Sequence, residues 1–221
     1  MPAFNEEATI EETLRRVRAV DLRGVRLEIL VVDDASTDST AAVVKSLAGP
    51  DLRLLRQPVN RGKGSALRAG FAEAKGDWIL VQDADLEYFP EDYPVLIEAA
   101  DRLKPEAVYG SRFLSGRPSG MRLANLVGNR VLAWVASLLY RARITDEATA
   151  YKLIRRDALL KMDLRCVRYE FCPEVTAKVL KSGGRIVEVP IRYHARTAEE
   201  GKKITWRDGL EALWTLFRYR I

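Results

Sequence analysis

Histidine and cysteine are almost absent from this chain: His194 stands alone, and Cys166 and Cys172 are the only thiols among 221 residues. Two cysteines cannot build a disulfide framework or a four-ligand zinc site, and a single histidine adds little. Both cysteines therefore read as reduced packing residues of a cytosolic protein, and His194, beside a strand end, as structural or peripheral. Long apolar runs are missing too. The longest, Val131 to Tyr140, is about half what a bilayer-spanning helix needs, and no charged-then-apolar leader precedes Ala3. The expectation is a chain that neither spans a membrane nor is exported. Internal repeats, low-complexity tracts and Pro, Gly or Ser linkers are also lacking. What remains, 48% hydrophobic and 30% charged, suits a packed globular core, which excludes disorder and collagen-like repetition.

The net charge of +5 conceals a division. Met1 to Gly110 carries 14 basic and 20 acidic side chains, and Ser111 to Ile221 carries 22 basic and 11 acidic. A basic half points to a phosphate-rich partner: nucleic acid, an anionic membrane surface or a phosphorylated small molecule. Nucleic acid fits worst, because the acidic half repels a polyanion and no aromatic-basic repeat or helix-turn-helix pattern is present.

Strands and helices alternate through the first half. Asn5 is expected to cap a helix bearing Ile10, Leu14 and Val17, and strands are expected at Leu27–Val32, Leu52–Arg56, Asp77–Gln82 and Ala107–Gly110. Helices of about ten residues lie between them, so the pattern predicts an α/β fold with a mainly parallel sheet covered on both faces. Its functional loops belong at the carboxyl ends of the strands. Further on, the spacing predicts a long helix over Arg122–Arg141, strands at Thr149–Ile154 and Arg185–Tyr193, and a helix over Cys172–Ser182. The last segment opens on a capping box, Thr205 with Asp208, and sets Trp206, Leu210, Leu213, Trp214, Phe217 and Ile221 on one helical face. That stripe either buries against the domain or rests on a membrane, with Arg207, Arg218 and Arg220 able to reach headgroups.

Two nucleotide signatures fail. Position 57, five before Gly62, is Gln57 and Gly64 separates Lys63 from Ser65, so there is no phosphate-cradling Walker loop; Leu67 stands where the dinucleotide fingerprint needs glycine. Asp83-Ala84-Asp85 is more informative. About one such pair arises by chance in a chain with 14 aspartates. This one, however, follows the buried run Trp78-Ile79-Leu80-Val81, where two carboxylates can present oxygens to a hard divalent cation whose other positions go to a diphosphate. Glu87 stands within reach of the same ion. Asp33-Asp34 ends an earlier strand, and acids at two strand ends of one parallel sheet converge on one crevice.

Pro2-Ala3-Phe4-Asn5-Glu6-Glu7, Val31-Val32-Asp33-Asp34-Ala35-Ser36-Thr37-Asp38, Asn60-Arg61-Gly62-Lys63-Gly64, Asp83-Ala84-Asp85 and Gly110-Ser111-Arg112-Phe113 resemble the ordered motifs of glycosyltransferase family 2. Thr145-Asp146 with Tyr151-Lys152, Glu188-Val189-Pro190-Ile191 with Tyr193 and Arg196, and Gly201-Lys202-Lys203-Ile204 are similar to its polyprenyl-phosphate (dolichyl-phosphate) mannose synthase branch. The resemblance covers nearly the whole chain. It implies a GT-A fold, a Rossmann-like sheet flanked by helices, in one domain over residues 1–221. Residues 1–110 form its nucleotide-sugar and metal half, and 111–221 its acceptor half, ending in the amphipathic helix.

By this similarity Pro2, Phe4 and Glu6 line the nucleotide pocket, Asp33 contacts the nucleoside with Asp34 as neighbour, and Lys63 approaches the same pocket. Asp83, Ala84 and Asp85 face the sugar nucleotide, with Mg or Mn held by Asp83 and Asp85 and with Glu87 as a further ligand. Arg112, Arg130, Arg196 and Lys203 hold the acceptor's phosphate or the leaving diphosphate. The implied activity is inverting, metal-dependent transfer of a hexose, mannose from GDP-mannose in the leading version, to a polyprenyl phosphate. The implied setting is the cytoplasmic face of a membrane, through peripheral contact with an anionic surface or a membrane partner. UDP-glucose or another sugar nucleotide is the alternative donor, and a truncated, non-catalytic binder of nucleotide sugar or lipid phosphate is the alternative of another class. Three departures from the family pattern stand out. Only Met1 precedes Pro2 where relatives place an apolar central strand, so a missing first strand and a late start are expected. Ala150 and Tyr151 replace the usual glycine and phenylalanine.

Overall fold

A computed structural model describes residues 1–196 and 205–221. Its centre is the run Ile29–Asp33 (β2), whose β-branched residues pair in parallel with Pro2–Ala3 (β1) on one side and Leu52–Arg56 (β3) on the other. The strand at the front consists of Pro2–Ala3 itself, not of an apolar segment before it. It is two residues long, and Met1 extends its ladder: the amine donates to the Leu30 carbonyl at 2.8 Å and the Met1 carbonyl accepts from Val32 N–H at 2.8 Å.

The second sheet contains Trp78–Leu80 (β4), Ala107–Ser111 (β5), Lys152–Arg155 (β6) and Ile186–Pro190 (β7), in the order β4-β6-β5-β7. Pairing is parallel between β5 and β7, but β6 runs antiparallel to both neighbours. Among the described residues no ladder joins β1 to β4, so there are two sheets. Alternation divides the side chains of β5. Val108 enters one core with Ile10, Leu14, Val31 and Leu96, while Ala107 and Tyr109 enter the other with Leu67, Phe71, Phe171 and Val175. Ile10–Ala19 (α1), Thr40–Ser46 (α2) and Tyr93–Leu103 (α4) cover the first face; Lys63–Glu73 (α3), Arg156–Lys161 (α6) and Phe171–Lys181 (α7) cover the second.

Two helices form an outer layer. Leu123–Tyr140 (α5) and Trp206–Arg220 (α8) share a small core of Leu132, Ala136, Ala212 and Leu216, and the Tyr140 hydroxyl donates to the Leu216 carbonyl at 2.7 Å. The expected capping box of Thr205 and Asp208 is present. α5 is also the one helix among the described residues that is long and apolar enough to cross a membrane, by length and composition only. Counting uninterrupted apolar residues missed it because Asn125, Asn129 and Arg130 break the run. The predicted stripe of α8 faces outward: Trp206, Leu210, Trp214 and Phe217 are exposed, and Leu213 alone leans toward α5. Leu123, Val127, Val131, Trp134 and Leu138 form a matching exposed stripe on α5.

Candidate functional site

The loops leaving β1 and β2 are tied together by side chains. Asn5 adopts the left-handed conformation (φ 53°), its N–H donates to Ser36 Oγ at 3.0 Å, and its Oδ1 accepts from Thr37 N–H at 2.9 Å. Glu6 N–H donates to Thr40 Oγ1 at 2.8 Å, and Glu7 accepts from Ser39 N–H at 2.8 Å. Asn5 therefore caps a neighbouring loop, and α1 begins after Thr9 instead. Pro2 lies in β1, while Phe4 and Glu6 are half-buried at its exit.

Both aspartates at the end of β2 are buried and have different partners. The two carboxylate oxygens of Asp34 accept from the N–H groups of Arg61 (2.9 Å) and Gly62 (2.7 Å), anchoring the Asn60–Gly64 turn. Gly62 has φ 92°, and a Cβ on Gly64 would lie 2.9 Å from the backbone of Cys166 to Arg168, so the turn fits only as glycine. Asp33 Oδ1 accepts from Ser36 N–H at 3.1 Å. Its Oδ2 is buried 3.1 Å from Arg56 Nε, close enough for ion pairing but without a hydrogen-bond partner.

The chain leaving β4 carries the acidic triplet. Lys63, on the first turn of α3, contacts Asp83 at 2.7 Å, and Arg196 contacts Asp85 at 2.7 Å. Burial, then the charges of Asp83 and Glu87, pushes the Asp85 carboxyl up to about 7, against the pull of Arg196 and Lys63. Ala84 is buried, and its carbonyl accepts from the Thr13 hydroxyl of α1 at 3.2 Å. Glu87 shares Arg196 with Asp85: its two oxygens accept from the Tyr193 hydroxyl (2.8 Å) and the Arg196 backbone N–H (2.9 Å). Among the described residues no three His, Cys, Asp or Glu side chains converge to hold a metal. The pair Asp83 and Asp85 nonetheless fits a hard cation, offering only carboxylate oxygens and already drawing two cationic side chains.

The acceptor-side residues do not form one cluster. Arg112 is buried and bidentate with Asp146 (2.7 Å to each oxygen), and its backbone N–H also donates to Asp146 at 2.9 Å. Asp146 is fixed in turn by Glu188, which accepts from the N–H groups of Thr145 and Asp146. Arg130 is exposed on α5, 4.6 Å above the Phe113 ring. With Arg117, Leu126, Val127, Val131 and Trp134 it lines an open trough of about 480 Å³. The Arg112 guanidinium sits over Tyr193 (5.0 Å) and Phe113 (5.6 Å), so contacts run unbroken from Glu87 through Tyr193, Arg112 and Phe113 to Arg130. Lys203 and the Gly201–Ile204 motif lie outside the described residues. His194 donates its N–H to the Glu87 carbonyl at 2.9 Å.

Sequence reasoning missed Gln82 and Arg117. Gln82 carried a usable signal, a polar residue closing a buried apolar strand immediately before the triplet. Arg117 carried none, because its relation to α5 depends on how the intervening loop folds back.

The sequence pattern described as glycosyl transferase family 2 matches residues 1–161. The chain belongs to glycosyl transferase family 2. Across all of this family 2 chain and 97% of its own length, the undecaprenyl-phosphate mannosyltransferase of Micrococcus luteus is 31% identical. The dolichol-phosphate mannosyltransferase of Pyrococcus furiosus is 30% identical over 91% of the chain, which spans 57% of that enzyme. The dodecaprenyl-phosphate galacturonate synthase of Rhizobium johnstonii is 29% identical over the full chain, which spans 66% of it. Among solved structures, glucosyl-3-phosphoglycerate synthase of Mycobacterium tuberculosis, crystallised with Mn2+ and UDP-glucose, superposes with a TM-score of 0.74 at 22% identity, over 99% of this chain and 76% of that one. That likeness shows the fold, a mixed α/β sheet flanked by helices of GT-A type.

Proposed function

We propose that this family 2 glycosyltransferase moves a hexose, mannose from GDP-mannose in the leading version, to a polyprenyl phosphate with inversion at the anomeric carbon. The observation that carries the reading is the unbroken run of contacts from the Asp83–Glu87 loop to the trough edged by Arg117 and Arg130. An acidic strand end suited to a metal diphosphate thereby adjoins an apolar surface edged with guanidinium groups, as donor and acceptor require. The names of the relatives, which act on undecaprenyl, dolichol and dodecaprenyl phosphates, support the acceptor class.

The chemistry asks little of the protein in proton transfer. A phosphate monoester has a second pKa of about 6, so the acceptor is already largely an anionic nucleophile at neutral pH. Its oxygen bonds to the sugar's anomeric carbon as the bond from that carbon to the diphosphate breaks, and the electron pair leaves with the nucleoside diphosphate. Asp33 Oδ2, buried without a hydrogen bond, is an acceptor for a ribose hydroxyl or a base N–H. Asp83 and Asp85 would hold Mg or Mn, which when bound neutralises diphosphate charge. Lys63 adds positive charge on the donor side, and Arg196 and Arg130 orient the acceptor phosphate, where guanidinium groups bind oxygens in pairs. Arg112, committed to Asp146, holds the acceptor-side loop in place.

The outward stripes of α5 and α8 make the peripheral membrane contact. The cytoplasmic face suits it, because that leaflet carries the negative potential a basic half favours. The test is transfer of radiolabelled sugar from a panel of GDP- and UDP-sugars to a polyprenyl phosphate, with Mn2+ or with EDTA. Transfer from GDP-mannose that EDTA abolishes is expected. Transfer unaffected by EDTA removes the metal role, transfer from another sugar nucleotide reassigns the donor, and no transfer from any donor leaves a binding protein.

A further inference from the structure

The backbone of the acidic triplet lies beyond the sheet. The β4–β6 ladder ends at the pair Leu80 and Leu153, and Val81 N–H makes one long bond of 3.3 Å to the Lys152 carbonyl. From Gln82 onward a buried side chain takes over from the ladder. Gln82 is 4% exposed, and its Nε2 donates to the Asp83 carbonyl at 2.8 Å. Its Oε1 accepts two short bonds of 2.6 Å, from the hydroxyls of Tyr93 on α4 and Tyr151 just before β6. The amide cannot be turned the other way. A carbonyl only accepts, so the nitrogen must face Asp83 and the oxygen must face the hydroxyls.

The tyrosines are themselves fixed. Tyr151 is fully buried and stacks on Tyr88 at 4.7 Å, and the Tyr88 hydroxyl accepts from Ala150 N–H at 2.9 Å. Tyr193, which bonds Glu87, meets Tyr88 edge-on at 5.1 Å. One aromatic cluster thus grips the loop at two points, the Asp83 carbonyl through Gln82 and the Glu87 carboxylate through the half-buried Tyr193.

We propose that Gln82 is a positioning residue for the Asp83–Asp85 pair, clamped by the Tyr93 and Tyr151 hydroxyls so that the two carboxylates are presented in a fixed arrangement before any ligand arrives. The inference rests on the reading of Asp83 and Asp85 as the metal-binding pair. Presentation of the carboxylates, rather than fold stability alone, is what the clamp supplies, and a binding measurement separates the two.

Mn2+ is titrated calorimetrically into the full-length chain in the presence of GDP, and thermal unfolding is followed in parallel. Gln82→Met is expected to weaken Mn2+ binding about fivefold, the equivalent of one buried hydrogen bond, and to lower the Tm because two buried hydroxyls lose their acceptor. The triple variant Gln82→Met/Tyr93→Phe/Tyr151→Phe removes those stranded hydroxyls. Its Tm is expected to recover while the fivefold loss persists, because the Asp83 carbonyl still lacks its donor. Mn2+ affinity that recovers together with the Tm, or that never changes in Gln82→Met, overturns the proposal and leaves Gln82 a packing residue. A wild-type chain that binds GDP but no Mn2+ overturns the metal reading itself and this inference with it.

Discussion

Arg196 faces three carboxylates, with nitrogens 2.7 Å from Asp85, 3.7 Å from Glu6 and 3.8 Å from Glu87. A guanidinium so placed is already oriented when a phosphate competes for it, and Arg196→Ala is expected to raise the acceptor KM about tenfold or more while the donor KM moves little. Steady-state kinetics with each substrate varied in turn checks this; an unchanged acceptor KM and kcat removes the assignment. Asp85→Ala is expected to fold and to lose more than about a hundredfold in rate, and turnover at the wild-type rate contradicts its role. Arg112 behaves differently. Its pair with Asp146 is buried on both sides, so Arg112→Ala leaves a carboxylate uncompensated, at a cost of about 3–5 kcal/mol in unfolding free energy. Urea denaturation measures it, and a change within error would mean that Asp146 finds another partner. Asp33 and Asp34 show where reading by type stopped. Both were recognisable as acids at a strand end, but only the structure shows that Asp34 spends its oxygens on two backbone N–H groups while Asp33 retains one without a hydrogen bond.

The elements that sequence pattern located best were those whose pattern is local. β3 has the expected bounds, and α8 opens on the expected capping box, because each depends on neighbours within a few residues. The reversal of β6 was not legible, since strand direction depends on where α5 delivers the chain and not on the alternation of Lys152 to Arg155. Nor was the direction of the α8 stripe. Ala212, Thr215 and Leu216 are smaller than the aromatic residues, yet they face the core, and the larger Trp206 and Trp214 face out. Apolar periodicity marks a face and leaves its partner open. Trp134 and Trp214 lie on the two outward stripes, 64% and 65% exposed. Replacing both by serine is expected to weaken flotation with lipid vesicles by more than tenfold, since each aromatic inserted at the interface contributes about 1.5 kcal/mol or more. Far-ultraviolet circular dichroism should be unchanged, because neither ring supports the core; flotation at wild-type strength would move the contact elsewhere.

At the scale of the molecule the charge division acquires a direction. The acidic half contributes the carboxylates at the ends of β2 and β4, and the basic half contributes both outer helices with Arg117, Arg122, Arg130, Arg207, Arg218 and Arg220. Helical spacing sets Arg207 and Arg218 along one edge of the α8 stripe and Arg220 along the other, where long stems can lie on apolar surface while their charges reach phosphate. On the proposed membrane contact, such an arrangement would attract an anionic bilayer over roughly a Debye length, about 8 Å at physiological salt, and the apolar stripes would then hold it. The two contributions separate by experiment. Each arginine near an anionic surface contributes about 1 kcal/mol, so Arg207→Gln with Arg218→Gln is expected to weaken binding to phosphatidylserine-containing vesicles about thirtyfold. Binding to neutral vesicles should change little, and the difference should fade as salt is raised. Equal losses on neutral and anionic vesicles would mean that these side chains act by packing, and the basic half would then owe its charge to the acceptor phosphate alone.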